Sequence, residues 1–335
     1  MSAAEEPIIN VGLDDGYAAV KVAWYDGNGA IRTHSIPSRA RQGSYGIGSF
    51  DSDGTVGGYE TDGLRFTVDP GVIGDTTRFP DYNLSPLARI LTQHALISAG
   101  FSGSSVRILS GLPLNRYFRD EKKNTDLTAR KIESFGRPVK RLDGGAPPRI
   151  VFHEIFAQGL AAVVDWLSDG RTIRSQDGPV GVVDIGGQTT DISVILPPRR
   201  VDHEHMATLE TGSLDVRALL KRRILVSNDV DEISDRTLDI ALENGRIRLY
   251  GKDVSVERER EDSVREIEFR LLNQIRAVFG DMLPSLDAIL FVGGGSLLFP
   301  GLAKFFPNGV IPDQPEFSNA RGMLKALSLS LSGRG

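Results

Sequence analysis

The chain has no cysteine among its 335 residues. Disulfides, thiol nucleophiles and thiolate-held zinc or iron–sulfur centres are thereby excluded, and the absence accords with a reducing compartment. Positive charge is not in surplus either: 39 Lys and Arg stand against 44 Asp and Glu, a net charge of −5. Wrapping nucleic acid draws on a basic surplus, so any DNA partner is expected to be reached through another protein. No apolar run approaches the roughly 18 residues that a membrane-spanning helix needs. The opening MSAAEEPIIN carries neither a basic n-region nor an apolar h-region, which argues against a signal peptide or amphipathic anchor and for a cytoplasmic location. What remains is the composition of an ordinary globular chain, long enough for two domains.

The first part is rich in strand and turn signals. INVGL, AAVKVAWYD and AIRTHSIPS, followed by a Gly/Ser/Asp-laden stretch and LRFTVDP, read as a meander with a flap over about residues 33–72. SPLARILTQHALIS aligns Leu87, Ile90, Leu91, Ala95 and Leu96 on one helical face, with Pro86 in the first turn and Gly100 as the stop. SVRILSGLPL after it reads as a buried strand, and NRYFRDEKKNTDLTARKIESF as a solvated helical excursion. EIFAQGLAAVVDWLSDG, with Phe156, Leu160, Val163, Val164 and Leu167 at helical spacing, reads as a helix crossing between domains. The second half opens with GPVGVVDIGGQTTDISVIL, again strand, acidic glycine turn, strand, which suggests an internal structural repeat. EDSVREIEFRLLNQIRAVFG is an amphipathic helix, DAILFV the strand after it, and LLFPGLAKFF the next expected helix.

Two glycine turns carry the sharpest chemical signal. In VVDIGGQTTDIS a strand delivers Asp184, Gly186 and Gly187 let the backbone approach a ligand, and Gln188 and Thr189 add donors; successive free N–H groups there suit a phosphate chain. Asp184 would repel phosphate directly, a conflict removed by a hydrated Mg²⁺ between them, since Mg²⁺ keeps most of its waters. In LDDGYAAVKVAW the carboxylates of Asp14 and Asp15 stand before Gly16, Tyr17 and Ala18. A plain Asp-Gly hairpin explains either turn taken alone. FVGGGSLLF, with Gly293, Gly294, Gly295 and Ser296, fits neither a Walker loop nor GxGxxG, though its glycines would admit a flat base or ribose. Thr211-Gly212-Ser213 precedes an apolar run as a helix cap would. Glu154, in FHEIFAQG, is placed near a helix N-terminus, where a carboxylate is favoured by the dipole whatever its function. DHEH, at 202–205, is read as loop rather than as a metal site.

Taken together and in order, these elements resemble the actin, Hsp70 and sugar-kinase superfamily, and within it the plasmid-segregation actins of the ParM/StbA family. LDDGYAAVKVAW, LSGLPLNRYF, VVDIGGQTTDIS, the TGS before a helix, VGGGS and NARGM carry the likeness over nearly the whole length. It implies an α/β, two-domain actin-like fold, ribonuclease H-like and duplicated, with a nucleotide cleft between domain I (1–160 plus 317–335) and domain II (161–316). Asp15, Gly16, Tyr17 and Ala18 would form the first phosphate loop, with Lys21 reaching a phosphate. Gly186, Gly187, Gln188 and Thr189 would form the second, and Gly212, Ser213, Gly293, Gly294, Gly295 and Ser296 would face the nucleoside. Asp14 or Asp15, together with Asp184, would hold Mg²⁺ largely through water, with Asp15 favoured for the metal side and Asp14 for the turn. Glu154 matches the catalytic glutamate of the family. Tyr17-Ala18 stands where the family often has Ser-Thr, so backbone N–H groups must carry phosphate binding in that loop.

The function so implied is a filament-forming ATPase using ATP/ADP and Mg²⁺, whose polymer is destabilised by hydrolysis. Its partners would be further copies of itself and a ParR-like centromere-binding adaptor that links it to plasmid DNA, with no membrane and no direct nucleic-acid contact. A sugar- or acetate-type kinase, or a non-segregating actin on the same fold, is the alternative.

Overall fold

The computed structural model describes residues 7–43, 57–69, 74–75, 77, 79, 81–168 and 173–332. Three antiparallel strands come first, β1 (Ile9–Asp15), β2 (Ala19–Tyr25) and β3 (Ile31–Pro37). Short strands β4 (Arg41–Gln42), β5 (Gly58–Thr61) and β6 (Leu64–Thr67) follow, then α1 (Pro86–Ser98), β7 (Ser105–Leu112), α2 (Leu114–Tyr117), the β8 (Phe118–Arg119) and β9 (Lys122–Lys123) pair, α3 (Thr125–Gly136), β10 (Lys140–Arg141) and β11 (Arg149–Ala157). The second half runs α4 (Leu160–Leu167), β12 (Val180–Ile185), β13 (Thr190–Leu196), β14 (Arg200–Leu209), α5 (Ser213–Asn228), α6 (Asp235–Asn244), β15 (Arg246–Leu249), β16 (Lys252–Ser255), α7 (Glu257–Phe279), β17 (Ala288–Val292), β18 (Gly309–Val310) and α8 (Ser318–Ser332).

The chain builds the same sheet twice. One is ordered β11-β7-β1-β2-β3 and the other β14-β13-β12-β17-β18; in each, a three-stranded antiparallel meander is extended by two parallel strands. The repeat expected from the two acidic glycine turns is therefore a repeat of topology. Both sheets are covered on both faces, which is why their central strands read as near-continuous apolar runs. Val11 and Leu13 pack with Ile90 and Leu91 of α1 on one side. On the other, Ala23 meets Ala320 and Leu324 of α8, and Leu109 meets Met323 and Leu327. In the second sheet, Val180 and Val182 face Ala162, Val163 and Leu167 of α4, while Val183 and Ile192 face Ile267, Leu271 and Ile275 of α7. Helices α4 and α8 pack on each other and form a shared layer between the two sheets.

Two glycines make that layer possible. A Cβ on Gly12 of β1 would fall 1.9 Å from the Ala320 carbonyl oxygen, and one on Gly322 of α8 would fall 1.8 Å from that of Ala161. The same helices are tied by charge: Asp165 of α4 accepts from Arg321 at 2.8 Å and from Lys325 at 2.7 Å, all three largely buried.

Several expectations need correction. Residues 149–157 form strand β11, so Phe156 belongs to a sheet and the helix begins only after Gly159 (φ 74°). A run rich in Ile, Val and Phe overrode the helical spacing. LLFPGLAKFF forms no α-helix: a 3-10 turn, Gly294–Leu297, ends at its first residue, and past Pro300-Gly301 a second, Leu302–Phe305, follows. DHEH lies in β14 and not in a loop; His205 there bonds Asp202 and Asp281, and the Asp202 hydrogen bond raises its pKa above the ordinary histidine value. The flap sheet is ordered β10-β5-β6-β4, so it recruits Lys140-Arg141 and leaves β3 to the main sheet. The flap's expected residues 44–56 and 70–72 lie outside the described residues.

Candidate functional site

The duplicated meanders place their hairpin turns against each other. Strand β1 hands its chain to β2 through Gly16, Tyr17 and Ala18, and β12 hands its chain to β13 through Gly186, Gly187, Gln188 and Thr189. A Cβ on Gly187 would lie 2.6 Å from the Ala18 Cβ, so the two turns touch and only small residues fit where they do. In the first turn, Ser38 Oγ donates to the Gly16 carbonyl at 2.7 Å, Thr77 Oγ1 to that of Tyr17 at 2.7 Å, and the Ser38 N–H to that of Ala18 at 2.9 Å. In the second, the N–H groups of Ser213 and Leu214 donate to the Gly186 and Gly187 carbonyls at 3.0 and 2.8 Å. The carbonyls of both turns are thus held by neighbouring residues, and glycine-bearing turns of this kind suit an anion nest where their N–H groups are free, the Gly186 N–H being bonded to the Thr189 carbonyl at 2.9 Å. Tyr17 packs its ring 5.3 Å from that of Tyr82 and also lines the cleft, where Arg116, Asp191 and Glu210 act on its hydroxyl.

The equivalence extends to charge. In antiparallel register, Asp14 pairs with Lys21 and Asp184 with Asp191. All four line a cleft of about 700 Å³, with Gly16, Tyr17, Ala18, Gly186, Gly187, Thr189, Ser213, Gly294 and Gly295. Asp14 accepts from Lys21 Nζ at 3.1 Å and from Gln158 Nε2 at 2.8 Å. Asp184 accepts from Asn319 Nδ2 at 2.6 Å, while Asn319 Oδ1 accepts the Gly159 N–H at 3.0 Å. One hydrogen-bonded chain therefore runs from Lys21 through Asp14, Gln158, the Gly159 backbone and Asn319 to Asp184.

The site carries more negative charge than its own cations balance. Burial, reinforced by Asp14, pushes the Asp184 carboxyl up to about 6. Burial pushes Asp191 up to about 7, although Thr208 donates to it at 2.5 Å. Desolvation works against the Lys21 ammonium, but Asp14, Asp184 and Glu316 outweigh it and raise its pKa. Raised carboxylates around a nest for anions are what a bound cation would relieve. Among the described residues no three His, Cys, Asp or Glu are arranged to hold a metal directly. Asp14 and Asp184 fit a hydrated ion that takes few protein ligands.

Asp15 and Glu154 do not belong where the sequence reading put them. Adjacent strand residues point to opposite faces, and with Asp14 turned into the cleft network, Asp15 turns to Lys131, 2.7 Å away, both side chains having no exposure. Burial raises the Asp15 pKa and lowers that of Lys131, each opposed by attraction to the other. Although Asp15 lines the cleft wall, its charge is engaged behind it by Lys131, and Asp14 is the carboxylate of this hairpin that bonds Lys21 and Gln158 in the cleft. Glu154 sits mid-strand in β11, sharing a face with Phe152 and Phe156, which pack toward Leu109, Ala161, Met323 and Leu327. It does not line the cleft; the side chain that does is Gln158, four residues on. Gly111 makes the room, for a Cβ there would lie 2.7 Å from the Gln158 side chain.

Four further expected residues support the walls instead of lining them. Gly212 lies beneath the second turn, where a Cβ would be 2.5 Å from the Gly187 carbonyl oxygen, and Gly293 (φ 80°) passes beside Asp184. Ser296 spends its hydroxyl on the Gly293 carbonyl at 2.7 Å, and the Gln188 side chain is turned inward with its Oε1 buried and unpartnered. Missed altogether were Gln158, Asp191, Asn319 and Lys131. Asp191 had a readable signal, since it follows Asp184 by the seven residues that separate Lys21 from Asp14. Lys131 had one too, standing between Leu127 and Phe135 on the apolar face of α3.

Comparison with known proteins agrees with this architecture. Residues 9–169 match the family model for the N-terminal part of plasmid segregation protein ParM, and residues 182–303 that for the C-terminal part of the archaeal actin homologue MreB-like proteins. No curated protein matches the chain. Among solved structures, the archaeal actin homologue Ta0583 in complex with ADP is similar at 23% identity and a TM-score of 0.77, over 96% of this chain and 100% of that one. A subunit of the 15-stranded ParM filament from Clostridium botulinum is similar at 19% identity and 0.72, over 96% and 99%. Bacillus thuringiensis ParM with AMPPNP is similar at 15% identity and 0.70, over 97% and 99%. At these identities the likeness shows the fold, which is actin-like over 96% of the chain. Among the described residues no helix is long and apolar enough to cross a membrane.

Proposed function

We propose, from the premise that this is an actin-like chain of the ParM type, that it hydrolyses ATP in the cleft and assembles with copies of itself into filaments that move plasmid DNA. The observation that supports this best is the pair of touching glycine-bearing turns bridged by the Asp14–Gln158–Asn319–Asp184 chain of hydrogen bonds. The domains of this reading are 1–160 with 317–335, and 161–316. They hinge on the α4–α8 layer.

In this reading the turn amides hold the phosphates, and Lys21, already in the cleft, adds a movable positive charge. Ser213, Gly294 and Gly295 form the wall against which the nucleoside lies. Asp14 and Asp184 would hold Mg²⁺ largely through water, and the ion would supply positive charge against the phosphate chain. Gln158 takes the role first assigned to Glu154. Its Nε2 is committed to Asp14, which leaves Oε1 to accept a hydrogen bond from water and orient it in line with the γ-phosphorus. Water oxygen then bonds to phosphorus as the bridging bond to ADP breaks. Such chemistry needs position and charge neutralisation more than a strong base, so a neutral amide suffices for a slow ATPase.

Filament growth follows if ATP favours one closure of the cleft and ADP another, because a ligand shifts a conformational equilibrium only by its differential affinity. A centromere-binding adaptor would supply the DNA contact that a chain of net charge −5 is ill suited to make. Light scattering and pelleting with ATP, ADP and a non-hydrolysable analogue test the reading. ATP-dependent high-mass species that decay as phosphate is released are expected. Phosphate release without any assembly would instead favour a solitary enzyme on this fold.

A further inference from the structure

We infer that Lys131 is a positioning residue that staples the ends of two parallel strands where they open into the cleft. Strands β1 and β7 pair in parallel from Ile9↔Val106 to Leu13↔Ser110, and there the register ends. Beyond it the strands part: β1 continues through Asp15 into the first turn, and β7 continues through Gly111 to Pro113, which also lines the cleft. Lys131 reaches this gap from α3. Its ammonium donates to Asp15 Oδ1 at 2.7 Å and to the Gly111 carbonyl at 2.6 Å, and lies 5.3 Å from the centre of the Phe135 ring. One side chain thus spans the position where the sheet's own hydrogen bonds have run out.

Both anchors lead to the chemistry. Asp15 immediately precedes Gly16 of the first turn. Gly111 immediately precedes Leu112, whose carbonyl accepts the Gln158 N–H at 2.9 Å. Lys131 therefore sets the separation between the turn that holds phosphate and the segment that carries Gln158, the two groups whose relative placement decides an in-line attack. Stability alone is a poor reason for the pair. Burying two charges costs several kcal/mol each, and apolar replacement of such pairs is often neutral. Asp15 Oδ2 adds to the cost, being buried without a hydrogen-bond partner.

This inference rests on the nucleotide reading above, and its test keeps the two apart. Nucleotide affinity, thermal stability and saturating hydrolysis rate are compared for the wild type, Lys131→Met, Asp15→Asn and the double variant. Lys131→Met alone leaves a buried carboxylate unpaired and is expected to be much less stable; adding Asp15→Asn removes that charge and is expected to restore the melting temperature. With the fold restored but the staple gone, kcat is expected to fall about tenfold or more while affinity changes by less than about threefold. Asp15→Asn alone, which keeps an acceptor for the ammonium, is expected to lose less, and if the double variant is insoluble the apolar pair Lys131→Met with Asp15→Leu serves as the readout. A double variant, or in that event the apolar pair, that hydrolyses ATP at the wild-type rate overturns the staple alone. A wild type that neither binds nor hydrolyses nucleotide overturns the functional reading and the staple together.

Discussion

Arg39, just past β3, places one guanidinium nitrogen 2.8 and 3.1 Å from the two carboxylate oxygens of Asp239 on α6. Asp239 also accepts from Arg217 Nε at 3.1 Å, and Arg217 reaches Asp235 at 2.9 Å. Residues 200 positions apart are thereby clasped beside a second pocket, which Ser38, Arg39, Leu214 and Arg217 line and which shares Tyr17 and Ala18 with the cleft.

The clasp is expected to slow nucleotide exchange. Both partners are about one-third exposed, so the pair is screened and worth a fraction of a kcal/mol to about 1. Arg39→Ala or Asp239→Ala is expected to speed release of a fluorescent ATP analogue about two- to fivefold. The reversed pair, Arg39→Asp with Asp239→Arg, is expected to recover part of that loss. Stopped-flow release rates that do not respond to any of these changes refute the idea.

Gln158→Ala is expected to leave nucleotide binding within about threefold and to lower hydrolysis tenfold or more, because only the oriented water is lost. Glu154→Ala, on the α8-facing side of β11 but outside the cleft lining, is expected to change neither. Phosphate-release assays on the two variants discriminate directly, and the opposite ranking would restore Glu154 as the catalytic group.

Asp191 makes stability pH-dependent with a definite sign. Its folded pKa of about 7 lies above the ordinary 3.8. Between those values the folded chain keeps a proton that the unfolded chain has lost, so this contribution falls as pH rises from about 4 to 7 and stays low above. Asp191→Asn removes the dependence. In urea unfolding without nucleotide or divalent cations, its advantage over wild type is expected to be larger at pH 8 than at pH 5 by about 2 kcal/mol. Equal advantages at the two pH values would show that Asp191 is not held neutral by burial.

Gly12→Ala and Gly322→Ala test the central layer. Their methyl groups would meet backbone oxygens that cannot rotate away, and each is expected to cost about 2–3 kcal/mol or more by calorimetry or denaturant unfolding. Gly29→Ala, whose site has open space though a positive φ, is expected to cost less.

The elements legible in the sequence were those governed by local chemistry. The hairpins announced themselves through Asp-Gly turns between alternating strands, and α1 and α7 through apolar stripes with clear ends. What escaped depended on partners far along the chain. Whether FHEIFA is strand or helix turns on a neighbouring strand 40 residues earlier, and so the search for a catalytic carboxylate stopped at Glu154, four residues short of Gln158. Lys131 was set aside as solvated because charge usually is, yet its place on an apolar helical face argued otherwise. The choice between Asp14 and Asp15 required knowing which face of β1 looks into the cleft, and neither the turn nor its charges reveal that.

The helix α8 gives Asn319 to Asp184 and fills the space between two sheets whose strands come earlier in the chain. During synthesis, then, the two hairpins can form and even find each other, but Asp184 lacks its amide partner and Gly12 its covering helix until residues 318–332 have been made. On the function proposed above, a nascent chain would in this way be kept from closing on nucleotide, and subunits joining a polymer would be drawn only from molecules whose translation has passed that point.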